Sequence, residues 1–243
     1  MLINMIRIIK DFLLNLFFPC FCLGCQKEGV WLCQDCLATL DILENFYCLC
    51  IKNPRMMAKP GKCKKCHSRK LSGLYFALPY QENPLTKNLI QRFKYPPYLK
   101  DLSGSLSALI IKHFLLSEQN TEEVFKDSAL VPIPLDKNKI KRRGFNQAEE
   151  IAENLSEFLK IPLVSNNLIK IKKTLPQVGL SEEERQENLK GAFFCKAPEE
   201  IKGNNILLVD DVYTTGATME ECARVLKKSG AKEIWGIVIA RES

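Results

Sequence analysis

Residues 204–240 read NNILLVDDVYTTGATMEECARVLKKSGAKEIWGIVIA. Ile206–Val209 is an apolar run with the length of a buried strand, and Ile234–Ala240 is a second. Between them Met219, Cys222, Ala223 and Leu226 recur at helical spacing on one face, and Gly230 stands where that helix must stop. Strand, helix and strand in so short a stretch predict a βαβ unit with a right-handed crossover in a parallel sheet. The turn that follows the first strand then lies at the carboxyl edge of the sheet, where such folds bind ligands.

That turn carries its own chemistry. Asp210 and Asp211, adjacent carboxylates leaving a strand, suit vicinal hydroxyls or a magnesium-bound sugar. Thr214-Thr215-Gly216-Ala217-Thr218 supplies backbone N–H donors, hydroxyls and a helix N-terminus, a phosphate cradle without net charge of its own. Acids for a diol followed by a cradle for a phosphate describe a ribose 5-phosphate site. A Walker-type strand also ends in acids, but the chain has no Gly-x-x-x-x-Gly-Lys-Ser/Thr, which argues against an ATPase.

Two segments upstream extend the pattern. In VPIPLDKNKIKRRGFNQAEEIAENL (131–155), Pro134 ends a strand, a basic loop follows, and Ala148, Ile151, Ala152, Leu155 and Leu159 trace one face of a helix. Arg142 and Arg143 lie between; a bidentate guanidinium suits pyrophosphate, and the competing reading of Arg142 is a solvated basic run. Gly144 lets the backbone beside Arg143 approach a ligand. In KKTLPQVGLSEEERQENLKGAF (172–193), a polar stretch joins two apolar segments. Arg185 and Asn188, three apart on a helix, share a face and serve either the site with its loop or the surface, while Glu182–Glu184 face solvent. His113 reads as a packing or surface residue and Cys195 and Cys222 as small buried hydrophobes. With two histidines in the chain, imidazole-based catalysis has little support.

The chain has 243 residues, 46% of them hydrophobic and 26% charged, a globular composition that excludes a disordered protein. Its length suggests one substantial domain and a smaller one. Apolar stretches such as Ile234–Ala240 fall far short of the ~18 residues of a membrane span. In residues 1–18, Met5, Ile8, Ile9, Phe12, Leu13 and Leu16 follow helical spacing, and Lys10 and Asp11 interrupt the apolar run. The segment reads as an amphipathic helix docked on its own protein; a membrane-surface or targeting role is the alternative.

Of 11 cysteines, all but Cys195 and Cys222 lie within residues 20–66. Cys22-x-x-Cys25 and Cys33-x-x-Cys36 are two metal knuckles, and four thiolates from them complete a closed, structural zinc site. A second site is expected from Cys48, Cys50, Cys63 and Cys66, although Cys48-Leu-Cys50 is one residue short of a standard knuckle. Cys20 or His67 can substitute in this reading, and interleaved pairing of the knuckles stays open. Disulfides and thioredoxin-like redox cycling fit less well, for want of a secretory signal and of a suitable strand pattern. A segment of about 50 residues buries little core, so metal supplies its folding energy. Of the net charge of +7, +6 belongs to residues 1–70. Two filled four-thiolate zinc sites, each −2, reduce this to about +2. What survives is the run from Lys52 to Lys70, with eight basic residues and no acid, either a phosphate-tracking tip or a solvated one.

Ile206–Thr218 resembles the signature of the type I phosphoribosyltransferases. With segments 131–155 and 172–193 and the Cys-rich stretch, most of residues 17–241 resembles the ComF family, competence-associated bacterial proteins of that fold. The resemblance implies an α/β parallel sheet with helices on both faces, preceded by a small zinc-ribbon domain, divided as 1–18, 19–70 and 71–243. It implies phosphoribosyl pyrophosphate (PRPP) with Mg2+ as ligand. Asp210 and Asp211 would take the ribose hydroxyls, Tyr213, Thr214, Thr215, Gly216, Ala217 and Thr218 the 5-phosphate, and Arg142 and Arg143 the pyrophosphate. Lys94, in LIQRFKYPPY, matches a family Lys-Tyr pair, and Lys172, Lys173, Thr174 and Gln177, supported by Arg185 and Asn188, match its mobile loop. The implied role is cytoplasmic: transfer of a phosphoribosyl group to an unspecified acceptor, tied to DNA uptake through single-stranded DNA and DNA-uptake proteins. A metabolic transferase acting on a small base or amine, and a non-catalytic PRPP sensor, are the alternatives.

Overall fold

The computed structural model describes residues 19–175 and 181–242. The expected helix over residues 1–18 and Gln177 of the loop lie outside the described residues. Packing divides the chain into two compact units, residues 1–41 and 42–243.

In the first unit, α1 (Gln34–Ala38) starts at Cys33, whose Sγ accepts the Cys36 N–H at 3.4 Å as an N-cap. A thiolate in that capping position satisfies one of the helix's orphan donors and is itself stabilised by it. The two Cys-x-x-Cys turns of this unit therefore fold around their sulfurs rather than around an apolar core.

The second unit begins with a two-stranded antiparallel pair, β1 (Phe46–Tyr47) and β2 (Met56–Met57). There follow β3 (Gly73–Pro79), α2 (Pro84–Lys94), α3 (Leu102–Leu116), α4 (Thr121–Val124) and β4 (Ser128–Pro132). Next come α5 (Lys137–Arg143), α6 (Gln147–Leu159), β5 (Leu168–Lys170), α7 (Glu182–Leu189) and β6 (Phe193–Cys195). The chain closes with β7 (Asn205–Val209), β8 (Val212–Tyr213), α8 (Ala217–Lys228) and β9 (Ile234–Arg241).

The main sheet is parallel, in the order β3-β9-β7-β4, with β8 extending the pairing along β9 past the two aspartates. Ile206 pairs with Ile234 and Val209 with Ile237, so the strand–helix–strand unit expected over 204–240 is present in one sheet. The apolar residues of α8 that point inward are Ala217, Met219, Cys222, Ala223 and Leu226, and the helix ends before Gly230, at φ +96°. Nearly every strand residue of this sheet is buried, as a parallel sheet covered on both faces requires. On one face Leu74, Phe76, Val131, Leu208 and Val238 join a core with Met219 and Cys222 of α8 and with the β5–β6 pair. On the other, α3 and α6 cover the strands, and Tyr75 meets Phe114 and Phe125 edge-on. Cys48, Leu49, Cys66 and Leu71 belong to the first of these cores, so the second cysteine cluster is packed into the sheet's own unit.

The basic segment 137–143 is a helix rather than the expected loop. Asp136 caps it through the Asn138 N–H at 2.9 Å, and Gly144, left-handed at φ +82°, stops it with an N–H to the Ile140 carbonyl at 2.7 Å. Gly144 thus serves as a helix stop. His113 is buried, with Nδ1 2.6 Å from the Leu43 carbonyl, and Cys195 and Cys222 are buried core residues.

Candidate functional site

The carboxyl ends of the strands open into a cavity of about 850 Å³. Asp210 and Asp211 stand on its floor where β7 ends. The Asp210 N–H continues the sheet to the Ile237 carbonyl at 3.0 Å, and the Asp211 N–H turns back to Asp210 Oδ1 at 2.8 Å. Lys94, the last residue of α2, reaches Asp211 Oδ1 at 3.0 Å. Asn83 caps the far end of that helix, with Pro84 in its first turn, so Lys94 also sits at the helix's negative end. Burial would pull the Lys94 ammonium down, but the carboxylates of Asp211 and Asp210 outweigh it and hold it above its ordinary value. Burial and the charge of Asp211 push Asp210 up to about 7. Asp210 therefore exchanges its proton near neutrality.

Beyond the acids, residues 214–218 wrap the N-terminus of α8. Gly216 is its N-cap in the left-handed region, at φ +76°, and a Cβ there would overlap the Tyr213 ring and hydroxyl. Only glycine lets the loop turn this tightly against Tyr213. The first N–H groups of α8 have no intrahelical acceptor, and the Ala217 N–H meets Thr215 Oγ1 at 3.3 Å. Thr214, Gly216, Ala217 and Thr218 line the cavity. Thr215 does not: its carbonyl accepts from Arg69 Nη1 at 3.3 Å behind the loop.

Cations face the loop. Lys139, Arg142 and Arg143 of α5, Lys170 of β5 and Arg185 of α7 line the same cavity. Burial lowers the Lys139 ammonium, and Arg143 and Lys94 lower it further. Lys170 is lowered by burial and then by Lys139. Positive groups gathered around one cavity favour an anion there. Of the residues matched to the mobile loop, Thr174 lines the cavity and accepts from Lys170 Nζ at 2.7 Å. Asn188 grips the loop's stem: it accepts the Leu175 N–H at 3.0 Å and donates to the Leu175 carbonyl at 3.1 Å. Lys172, Lys173 and Asn188 are not among the lining residues. Glu183 and Glu184 are exposed, and Glu184 completes a capping box with Ser181.

The two cysteine clusters are Cys22, Cys25, Cys33, Cys36 and, separately, Cys48, Cys50, Cys63, Cys66, each with its sulfurs within 4.8 Å of one another. Tetrahedral zinc at about 2.3 Å from each sulfur sets them about 3.8 Å apart. The donor sets fit that ion: Cys25 and Cys33 are 3.5 Å apart, as are Cys50 and Cys63. Backbone N–H groups aim at the sulfurs, Cys33 at Cys22 (3.3 Å), Arg55 at Cys48 and Cys63 at Cys66 (both 3.2 Å). Each cluster splits its thiols. The Lys65 and Cys66 N–H groups draw Cys63 down to about 6 despite burial, while burial and Cys63 push Cys50 up to about 12. Four thiolates share so small a volume only around a divalent cation. The short Cys48-Leu-Cys50 turn is no obstacle, and the clusters are not interleaved. His67 stands outside them, exposed, with Nδ1 2.7 Å from the Lys64 carbonyl. Both clusters are compatible with structural zinc.

A family model described as phosphoribosyl transferase domain matches residues 140–242, the stretch that contains the diacid and its loop. Competence protein ComFC of Bacillus subtilis is 31% identical over 212 residues, covering 84% of this chain and 81% of that protein. The chain belongs to the ComF family. Competence protein F of Haemophilus influenzae is 36% identical over 157 residues, 63% of this chain and 67% of that protein. The DNA utilization protein YhgH of Escherichia coli is 33% identical over 137 residues, and the match spans 59% of its length, less than two thirds. Among the described residues, no helix of this ComF-family chain is long and apolar enough to cross a membrane.

Sequence reasoning missed four contributors. Lys139 precedes Arg142 and Arg143 by three and four residues, so its place on their face was legible once the segment was read as a helix. Lys170, Arg69 and Arg241 carry no such signal, since only tertiary packing brings them to the cleft or its wall.

Proposed function

We propose that this cleft binds PRPP with Mg2+. The observation that carries the reading is the sequence of chemistries along one sheet edge: two adjacent carboxylates, one of them paired with a lysine, then a glycine-turned loop of N–H groups at a helix N-terminus, opposite a group of cations. Asp210 and Asp211 would hold the ribose hydroxyls, directly or through the metal. Thr214, Gly216, Ala217 and Thr218 would hold the 5-phosphate, and Arg142, Arg143 and Lys139 the pyrophosphate. Mg2+, when bound, neutralises pyrophosphate oxygens and makes them a better leaving group. In transfer, the bond from ribose C1 to pyrophosphate breaks, an acceptor nucleophile bonds to C1 from the opposite face, and its proton passes to a base. Asp210, poised near neutrality, fits that last role. The chain's own contribution is positioning and charge.

The names of the relatives, competence proteins and DNA utilization proteins, support a role of this chain in DNA uptake or use; single-stranded DNA as partner and the cytoplasm as compartment belong to the same proposal and go beyond those names. Calorimetric titration of PRPP with Mg2+ into the wild type and an Asp210→Asn, Asp211→Asn double variant tests the ligand. Binding that survives the double substitution refutes it. Release of pyrophosphate upon adding candidate bases, amines and oligonucleotides separates a transferase from a PRPP sensor.

A further inference from the structure

Behind the phosphate loop, on the side away from the cleft, stand two arginines that neither the diacid nor the pyrophosphate reading uses. Arg241, at the end of β9, is 1% exposed. Its Nη1 donates to the Cys48 carbonyl at 2.8 Å and its Nη2 to the Cys50 carbonyl. Its guanidinium lies over Phe76 at 5.5 Å and over Tyr213 at 5.6 Å. A guanidinium buried among rings and carbonyls is costly unless negative charge lies close by. Four thiolates around a divalent cation carry −2, and this charge would lie at the very turn that Arg241 caps.

Arg69 is delivered by the other knuckle of the same cluster. The Cys66 N–H bonds to the Cys63 carbonyl and the Arg69 N–H to the Cys66 carbonyl, both at 3.1 Å, so the turn that gathers two sulfurs also sets where Arg69 leaves the chain. Arg69 Nη1 reaches the Thr215 carbonyl at 3.3 Å and the Tyr213 hydroxyl at 3.4 Å. The Glu220 carboxylate of α8 stands 4.0 Å away and accepts the Lys70 N–H at 2.6 Å. A peptide is planar and trans, so its C=O and N–H point in opposite directions. Holding the Thr215 carbonyl from behind therefore turns the Gly216 N–H the other way, and Gly216 lines the cleft.

We propose that the Cys48/Cys50/Cys63/Cys66 cluster is part of the anion-binding apparatus, with Arg69 and Arg241 as positioning residues that fix the Thr215–Gly216 peptide and Tyr213 from behind. Occupancy of this cluster then sets the affinity of loop 214–218 for a phosphate. The inference rests on the PRPP reading for its ligand but not for its geometry.

The experiment uses the full chain and three readouts: zinc content, hydrogen exchange of the amides of residues 213–218 without ligand, and PRPP titration. Arg69→Met is expected to keep its full zinc content, to exchange faster at Gly216 and its neighbours, and to bind PRPP at least about tenfold more weakly. Arg69→Lys, which can donate to only part of that set, recovers part of both effects. Cys66→Ser is expected to lose zinc and to show the same loop exchange. Because Cys66 is in the core, the Arg69 series carries the test if that variant does not fold. His67→Ala, on the same knuckle and without contact to the loop, should match the wild type. Unchanged exchange at 213–218 in Arg69→Met with zinc retained overturns the proposal. A wild type that binds no PRPP overturns the ligand reading instead, since the exchange result stands without it.

Discussion

Lys94 and Asp211 are joined at 3.0 Å across 117 residues of sequence, and this contact leaves Asp210 as the carboxylate of the pair without a lysine of its own. Two adjacent acids at the end of a buried strand repel each other, and one ammonium compensates one of them well. Asp210 is accordingly the raised one, at about 7, through burial and the charge of Asp211.

A pH dependence follows. The ionised carboxylate is the form that takes hydroxyls or magnesium, so PRPP affinity should fall as pH drops through about 7, approaching tenfold per unit below it. Asp210→Asn should bind more weakly and lose the part of the slope that the ligand's own phosphates do not supply. For stability the sign is opposite. A carboxyl raised in the folded state favours folding fully below its unfolded value, near 3.9, and loses that contribution as pH rises to about 7. The ligand-free Asp210→Asn protein should therefore melt higher than wild type at pH 8, by on the order of 10 °C, with the gain gone by about pH 4. Thermal denaturation at the two pH values checks this.

Removing Lys94 should act through Asp210. In Lys94→Met the nearest cation is gone, so the acid is harder to ionise, and the midpoint of the binding profile should move up by about one pH unit or more. A profile that keeps its midpoint while losing affinity throughout would show that Lys94 meets the ligand rather than the acids.

On α5, the arginines that line the cleft, Arg142 exposed and Arg143 half-buried, are separable from cations outside the lining. Arg142→Ala and Arg143→Ala should each weaken PRPP by about 1.5–3 kcal/mol, the range for hydrogen bonds between charged groups. Lys141, exposed and not part of the lining, should tolerate alanine within about a factor of two. Calorimetry of the three variants at one ionic strength decides whether position on the helix or net charge is what counts.

Gly216→Ala should be the most damaging single methyl in the loop. The left-handed backbone costs a Cβ about 1–2 kcal/mol, and overlap with Tyr213 adds about 1–3 more. Alanine at Gly144, also left-handed but with nothing within 4 Å of its Cβ, should cost only the backbone share. Denaturant melts of both variants measure the difference.

Much of this site could be read along the chain because its parts are local. Asp210, Asp211 and residues 214–218 are consecutive, and a strand, a turn and a helix start are imposed by apolar period and one glycine. The four-residue knuckles were legible for the same reason. The helical state of 137–143 was not, because it depends on the pairing of an Asp136 cap with a left-handed Gly144 around a polar stretch that has no apolar face to mark it.

Sequence alone determined the chemistry on offer: an adjacent acid pair, a glycine-turned loop at a helix start and a set of close-spaced thiols, each specified by neighbours a few bonds away. Tertiary structure decided what those groups do to one another. It brought Lys94 to Asp211 and Arg241 beneath Tyr213, and it sank Cys48 and Cys66 into the core of the sheet. These outcomes depend on which strands pair and which faces bury, and electrostatic energies in a buried site vary steeply over a few ångströms that linear spacing does not encode.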